Sequence, residues 1–298
     1  MSQEHAASPA PGAPATADRL GGDRVGYVRL IPIAKVPMEA PWRWLGRGFR
    51  DMARAPLLSL AYGAVFAVIA AVLLLGLWYA GVPALILPMA GGFLLVGPIV
   101  AAGLYRMSSL IERGQKVTLR DTLLVNIQSP GQLAFMGVAL MIAFFAWVEI
   151  ALLLFMLVFG PTAMPPVQEF IQTLLLEPRG LILLSVGSFL GAVIASVIFA
   201  STVVSVPMLM TREVDVVTAI VTSLRAVALN PGVMVLWAIL IAVIMALGFA
   251  LLFFGLLIAF PLIGHATWHA FRDIVPDEDK LGPPSEPVAQ PEDPSQPA

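Results

Sequence analysis

The sequence predicts an all-α protein embedded in a membrane, on three observations. Of 298 residues, 59% are hydrophobic and only 12% charged, about half the charged share of a soluble domain, and the mean hydropathy is +0.89. The apolar residues fall in uncharged runs of twenty or more, the length that carries a helix across a bilayer. Basic residues gather in alternate connections between those runs. With so little polar material the chain cannot cover itself against water, so lipid must be part of its solvent. A net charge of −2 offers little to nucleic-acid phosphates. The absence of cysteine excludes disulfides, thiolate ligands and iron–sulfur clusters.

Residues 1–40 are expected to be extended or disordered. They open on Ala- and Pro-rich sequence with no basic stretch leading into an apolar core, unlike a cleavable leader. Residues 41–56, "PWRWLGRGFRDMARAP", predict an amphipathic helix lying in the headgroup layer. Arg43, Arg47, Arg50 and Arg54 make one stripe at helical spacing, and Trp42, Leu45, Phe49 and Met52 make the adjoining one. The arginines are candidates to meet lipid phosphates. A transmembrane domain over 57–273 follows, and residues 274–298, acidic and rich in proline, predict a disordered solvated tail.

Four membrane spans are plain, at 57–80, 84–105, 133–159 and 181–210. The next block, 233–271, has no Asp, Glu, Lys or Arg. As one helix it would be almost 60 Å long, about twice the hydrocarbon thickness, so it must fold back, near Gly248–Gly255. That gives six spans. Basic residues stay on the cytoplasmic side of short loops. Of the 17 Lys and Arg, eight precede the first span, four lie in 106–132, two in 211–232 and two beyond the last span, leaving only Arg179 opposite. Both termini are therefore expected in the cytoplasm.

Three hinges recur, "GFRDMARAPLLSLAYG", "RDTLLVNIQSPGQLAFMG" and "VTSLRAVALNPGVMVLWA", each placing proline at the start of a span. The second span of each pair holds an inner proline, at Pro98, Pro207 and Pro261. The pattern predicts three helical hairpins of common plan.

The "PWRWL…GFRD…P" opening, the stretch "PMAGGFLLVGPIVAAGLYRMSSLIERG" and the closing "SVPMLMTREVDVVTAIVTSLRAVALNPG…FPLIGHATWHAFRD" together resemble DUF2189, a bacterial family of predicted integral membrane proteins, over residues 40–275. The resemblance implies a multi-pass protein of the bacterial cytoplasmic (inner) membrane. It brings no reaction, substrate or ligand residue with it.

Two places could carry chemistry. Glu149, in "FFAWVEIALLLF", stands mid-span, where a carboxylate must face the bundle interior or a wet cavity. It reads either as an ion, proton or substrate contact or as a neutral acid bonded to a hydroxyl of the fourth span. His265 and His269 in "PLIGHATWHAFRD" share a helix face. They read as boundary anchors, as a metal or haem contact, or as a pH sensor. Against a metal stands the lack of a third ligand. In the fourth span Gly187 and Gly191 form a GxxxG pair suited to close helix packing. The 211–232 loop reads as a cytoplasmic helix with Val214, Val217, Val221, Leu224 and Ala228 on its apolar face. No catalytic motif is present and no cofactor is called for. The sequence therefore reads as a non-enzymatic structural or accessory membrane protein. The alternatives are a small transporter or channel using Glu149, and haem or metal binding. Membrane lipids are the expected partners, with room for a homo-oligomer or a membrane complex.

Overall fold

The computed structural model describes residues 24–25, 28–29, 31–123, 127–160, 167–251 and 253–276. Apart from a two-residue antiparallel ladder, β1 (Arg24–Val25) with β2 (Val28–Arg29), the regular elements are helices. They run α1 (Ala40–Arg54), α2 (Pro56–Tyr79), α3 (Ile86–Leu95), α4 (Gly97–Val100), α5 (Ala102–Glu112), α6 (Leu119–Leu123) and α7 (Pro130–Phe159). Then come α8 (Val167–Leu176), α9 (Pro178–Thr202), α10 (Ser205–Thr211), α11 (Val216–Leu229), α12 (Pro231–Ala250) and α13 (Leu256–Ile274). Among the described residues, four segments are long and apolar enough to cross a membrane: Pro56–Tyr79, Pro130–Phe159, Pro178–Thr211 and Pro231–Ala250.

The three proline hinges are built alike. Pro56, Pro130 and Pro231 each begin a helix. The residues before them, Ala55, Ser129 and Asn230, adopt nearly one conformation, with φ/ψ of −132/57°, −121/68° and −129/48°. Proline denies its predecessor the helical region, and a missing N–H costs nothing in a first turn. An amphipathic or short helix (α1, α6 or α11) leads into each hinge.

The expected second span, 84–105, is not one helix. It divides into a turn of 3-10 helix at Pro83–Leu85 followed by α3, α4 and α5. Pro98 cannot donate to the carbonyl four residues back and its ring crowds that turn, so α3 stops short of it. Tyr62 donates its hydroxyl to the Val100 carbonyl at the next break. The fourth span breaks in the same way between α9 and α10, ahead of Pro207. There Ser223 of α11 mends the ladder, accepting from the Val204 N–H at 3.2 Å and donating to the Ala200 carbonyl at 2.7 Å.

The fold-back in 233–271 falls where Gly248 and Gly255 abut. A Cβ on Gly255 would lie 2.7 Å from the Gly248 Cα, so no side chain fits at that crossing. The second arm, α13, is more polar than the four long spans and is the hub of the molecule: α1, α2, α5 and α12 all pack on it. Gly48 of α1 approaches the Ala266 backbone, and Gly63 of α2 approaches the Leu257 carbonyl. Phe260 stacks on Phe66 with ring centroids 3.6 Å apart. The N-terminal arm, of which residues 31–39 are described, is pinned rather than loose. The Ala34 N–H donates to the Ile274 carbonyl, and Asn230 bridges to Val36 and Ala34. Residues 1–23 and 277–298, where tails were expected, lie outside the described residues.

Candidate functional site

One face of α13 gathers the polar groups buried in the fold. His265, fully buried, has Ser59 Oγ 3.0 Å from its Nε2 and Ser108 Oγ 2.8 Å from its Nδ1. A neutral imidazole donates through one nitrogen and accepts through the other, so α2 and α5 are tied to α13 through one ring. A turn later, His269 Nε2 lies 2.8 Å from the buried carboxylate of Asp51 on α1. Glu112, at the end of α5, accepts from Trp268 Nε1 at 3.0 Å and Arg272 Nε at 3.2 Å. Asp273 accepts from Trp44 Nε1 at 2.9 Å and from the Arg47 guanidinium.

This arrangement does not fit a metal or haem. Both nitrogens of His265 are engaged by hydroxyls, and His269 points at Asp51. Among the described residues no group of three or more His, Asp or Glu could hold an ion. Of the arginine stripe, Arg43, Arg50 and Arg54 are exposed, while Arg47 is bound to Asp273. The expected apolar stripe is split: Trp42 and Phe49 are each 58% exposed, whereas Met52 is buried. The inner face is instead Trp44, Gly48 and Asp51.

Glu149 is exposed on the outer face of α7 and belongs to neither cavity described below. Of the six fourth-span hydroxyls, which include Ser185 and Ser188, four are occupied at home: Ser196, Ser201, Thr202 and Ser205 each donate to the carbonyl four residues back. Gly187 and Gly191 face α7, meeting Leu154 and Trp147. On α11 the sequence-derived face is inverted. Val217 and Leu224 are exposed, while Thr218, Ala219, Thr222 and Ser223 are buried.

A cavity of about 500 Å³ lies among α3–α5, α9, α12 and α13. All three segments with inner prolines reach it, through Pro98, Val203 and Phe260. Its wall is mostly carbon, from Leu94, Ile198, Ile241 and their neighbours, with Tyr105 also lining it; Ser196, Thr202 and Thr267 are satisfied by their own helices, on the carbonyls of Ala192, Ile198 and Ile263. A smaller cavity of about 280 Å³ lies among α7, α8 and α9.

Long apolar helices, a polar hub buried at one end and a carbon-lined hollow define an α-helical integral membrane protein. The family described as predicted integral membrane protein (DUF2189) matches residues 86–211, and the resemblance read from the sequence holds there. The match is narrower than the 40–275 read from the motifs, leaving α1 and α13 outside it. No match was found among curated proteins or among solved structures. Sequence reasoning found the two histidines but not Ser59, Ser108, Asp51, Glu112 or Asp273. The one available signal was Asp51, a lone acid on a helix otherwise armed with arginine.

Proposed function

We propose that this chain is a non-enzymatic accessory protein of the bacterial cytoplasmic membrane that holds the tail of a membrane lipid in its central cavity. In this reading it crosses the membrane six times as three hairpins, with both termini in the cytoplasm. The segments from Pro83 to Glu112 and from Leu256 to Ile274 supply the two crossings beyond the four long helices. The polar face of α13 then lies at the cytoplasmic end, beside the arginines of α1.

The observation that carries the reading is the cavity's wall. Sites for small ligands are typically apolar hollows of roughly 300–1,000 Å³. This one offers mostly carbon, and of its lining hydroxyls those of Ser196, Thr202 and Thr267 are already bonded to their own backbone. Irregular backbone at membrane depth is tolerated where it is buried or lines a cavity, and here the broken helices converge on one. The apolar solute at hand in a bilayer is the lipid chain itself. The transport reading rested on Glu149 in a polar cavity, and Glu149 is outside both cavities, so that reading is set aside.

Mass spectrometry of the protein released from mild detergent tests the proposal. The parent chain is expected to retain lipid. Ala195→Phe and Ala242→Phe, which fill the cavity mouth from α9 and α12, are expected to lose it while melting near the parent temperature. Equal lipid retention in all three proteins would end the proposal.

A further inference from the structure

The outer face of α7 carries a seam. Val138, Ile142, Phe145, Glu149, Leu152 and Met156 follow one another at alternating spacings of four and three residues, the pattern of helices that pair along a narrow stripe. Val138, Ile142, Phe145 and Met156 are 59%, 64%, 60% and 51% exposed. Glu149 is exposed among them and Leu152 is half-buried at the flank. The opposite side of α7 is the one packed on the fold, through Leu140, Trp147, Ala151 and Phe155. Glu149 lies ten residues from the Phe159 end of this 30-residue helix, about 15 Å along its axis. That places it within the hydrocarbon, where a carboxyl turned outward is costly unless something hydrogen-bonds to it.

We propose that this seam pairs with the α7 of a second copy, Glu149 against Glu149. All copies insert with the same side inward, so a two-fold axis relating two of them runs along the membrane normal. The two α7 helices are then parallel, and identical residues meet at identical depth. Carboxyl groups that meet at one depth can hydrogen-bond to each other without a cation. A single polar residue on an otherwise apolar seam fixes register and partner number, and hydrogen bonds of this kind join helices in lipid. A foreign helix would need its own polar group at this depth, whereas a second copy brings one. The pairing stands independently of the lipid cavity.

The chain has no cysteine, so single cysteines report cleanly. In native membranes, Ile142→Cys and Phe145→Cys are expected to cross-link into dimers on mild oxidation. Val65→Cys on α2 and Val193→Cys on α9, also exposed in the monomer, are not. In lipid bilayers diluted stepwise, Glu149→Gln keeps the dimer and Glu149→Leu weakens it roughly tenfold. Equal cross-linking at all four positions, cross-links formed only to a different protein, a monomer at every dilution, or a Glu149→Leu dimer as tight as the parent would each overturn the pairing.

Discussion

Ser59 and Ser108 hold His265, and Asp51 holds His269, through direct side-chain hydrogen bonds. Removing one side of such a bond strands its partner, at about 1–3 kcal/mol. Ser108→Ala is therefore expected to lower the melting temperature in detergent, and His269→Ala, which leaves Asp51 buried and unanswered, to lower it further. Asp273→Asn weakens the acceptor that Trp44 Nε1 and the Arg47 guanidinium share, and is expected to loosen α1 from α13, followed by tryptophan fluorescence of the buried Trp44. The histidines were legible in the sequence because their spacing is local. Their partners were not, since Ser59 and Ser108 are ordinary residues until the fold brings α2 and α5 against α13.

The hinges at the helix starts could be read directly, because what proline does to its neighbours does not depend on the rest of the fold. Helix faces could not. Periodicity marked an apolar face in α1, read as turned toward lipid, and one in α11, which in water would turn inward. Where lipid is the outer solvent, small and hydroxyl residues can pack inside while Phe49, Val217 and Leu224 turn out. Glycine shows this in α2. A Cβ at Gly63 would sit 2.3 Å from the Leu257 carbonyl oxygen, the group that Pro261 leaves without a helical donor. Gly63→Ala is expected to cost about 1–3 kcal/mol in a melting experiment. Gly76→Ala, in the same helix with nothing within 4 Å, should be neutral or mildly stabilising.

Across the whole molecule, composition was enough for the class of fold, while the crossing number depended on length and charge. The second and sixth segments expected to span are the broken α3–α5 and the buried α13, and neither resembles a free-standing lipid-facing helix. Inner prolines at Pro98 and Pro261 were visible, but their effects differ: the first divides its helix, while the second sits in a helix that continues through it, held by α1, α2, α5 and α12. Six crossings place both ends on one face. Reporter fusions at the N terminus and the C terminus are therefore expected to be protected together in inverted vesicles or exposed together, and opposite outcomes would require an odd number of crossings.

The burial of α13 has a consequence for biogenesis. The helix on which the others pack leaves the ribosome after every other described helix, more than two hundred residues after α1. Until it arrives, Gly48 lacks the Ala266 backbone it packs on, Asp51 lacks His269, and the glycine notch of α2 stands open to the bilayer. A chain stalled before Leu256 is thus a set of inserted helices without a centre, and such a nascent product should be cleared by membrane proteases far faster than the finished one.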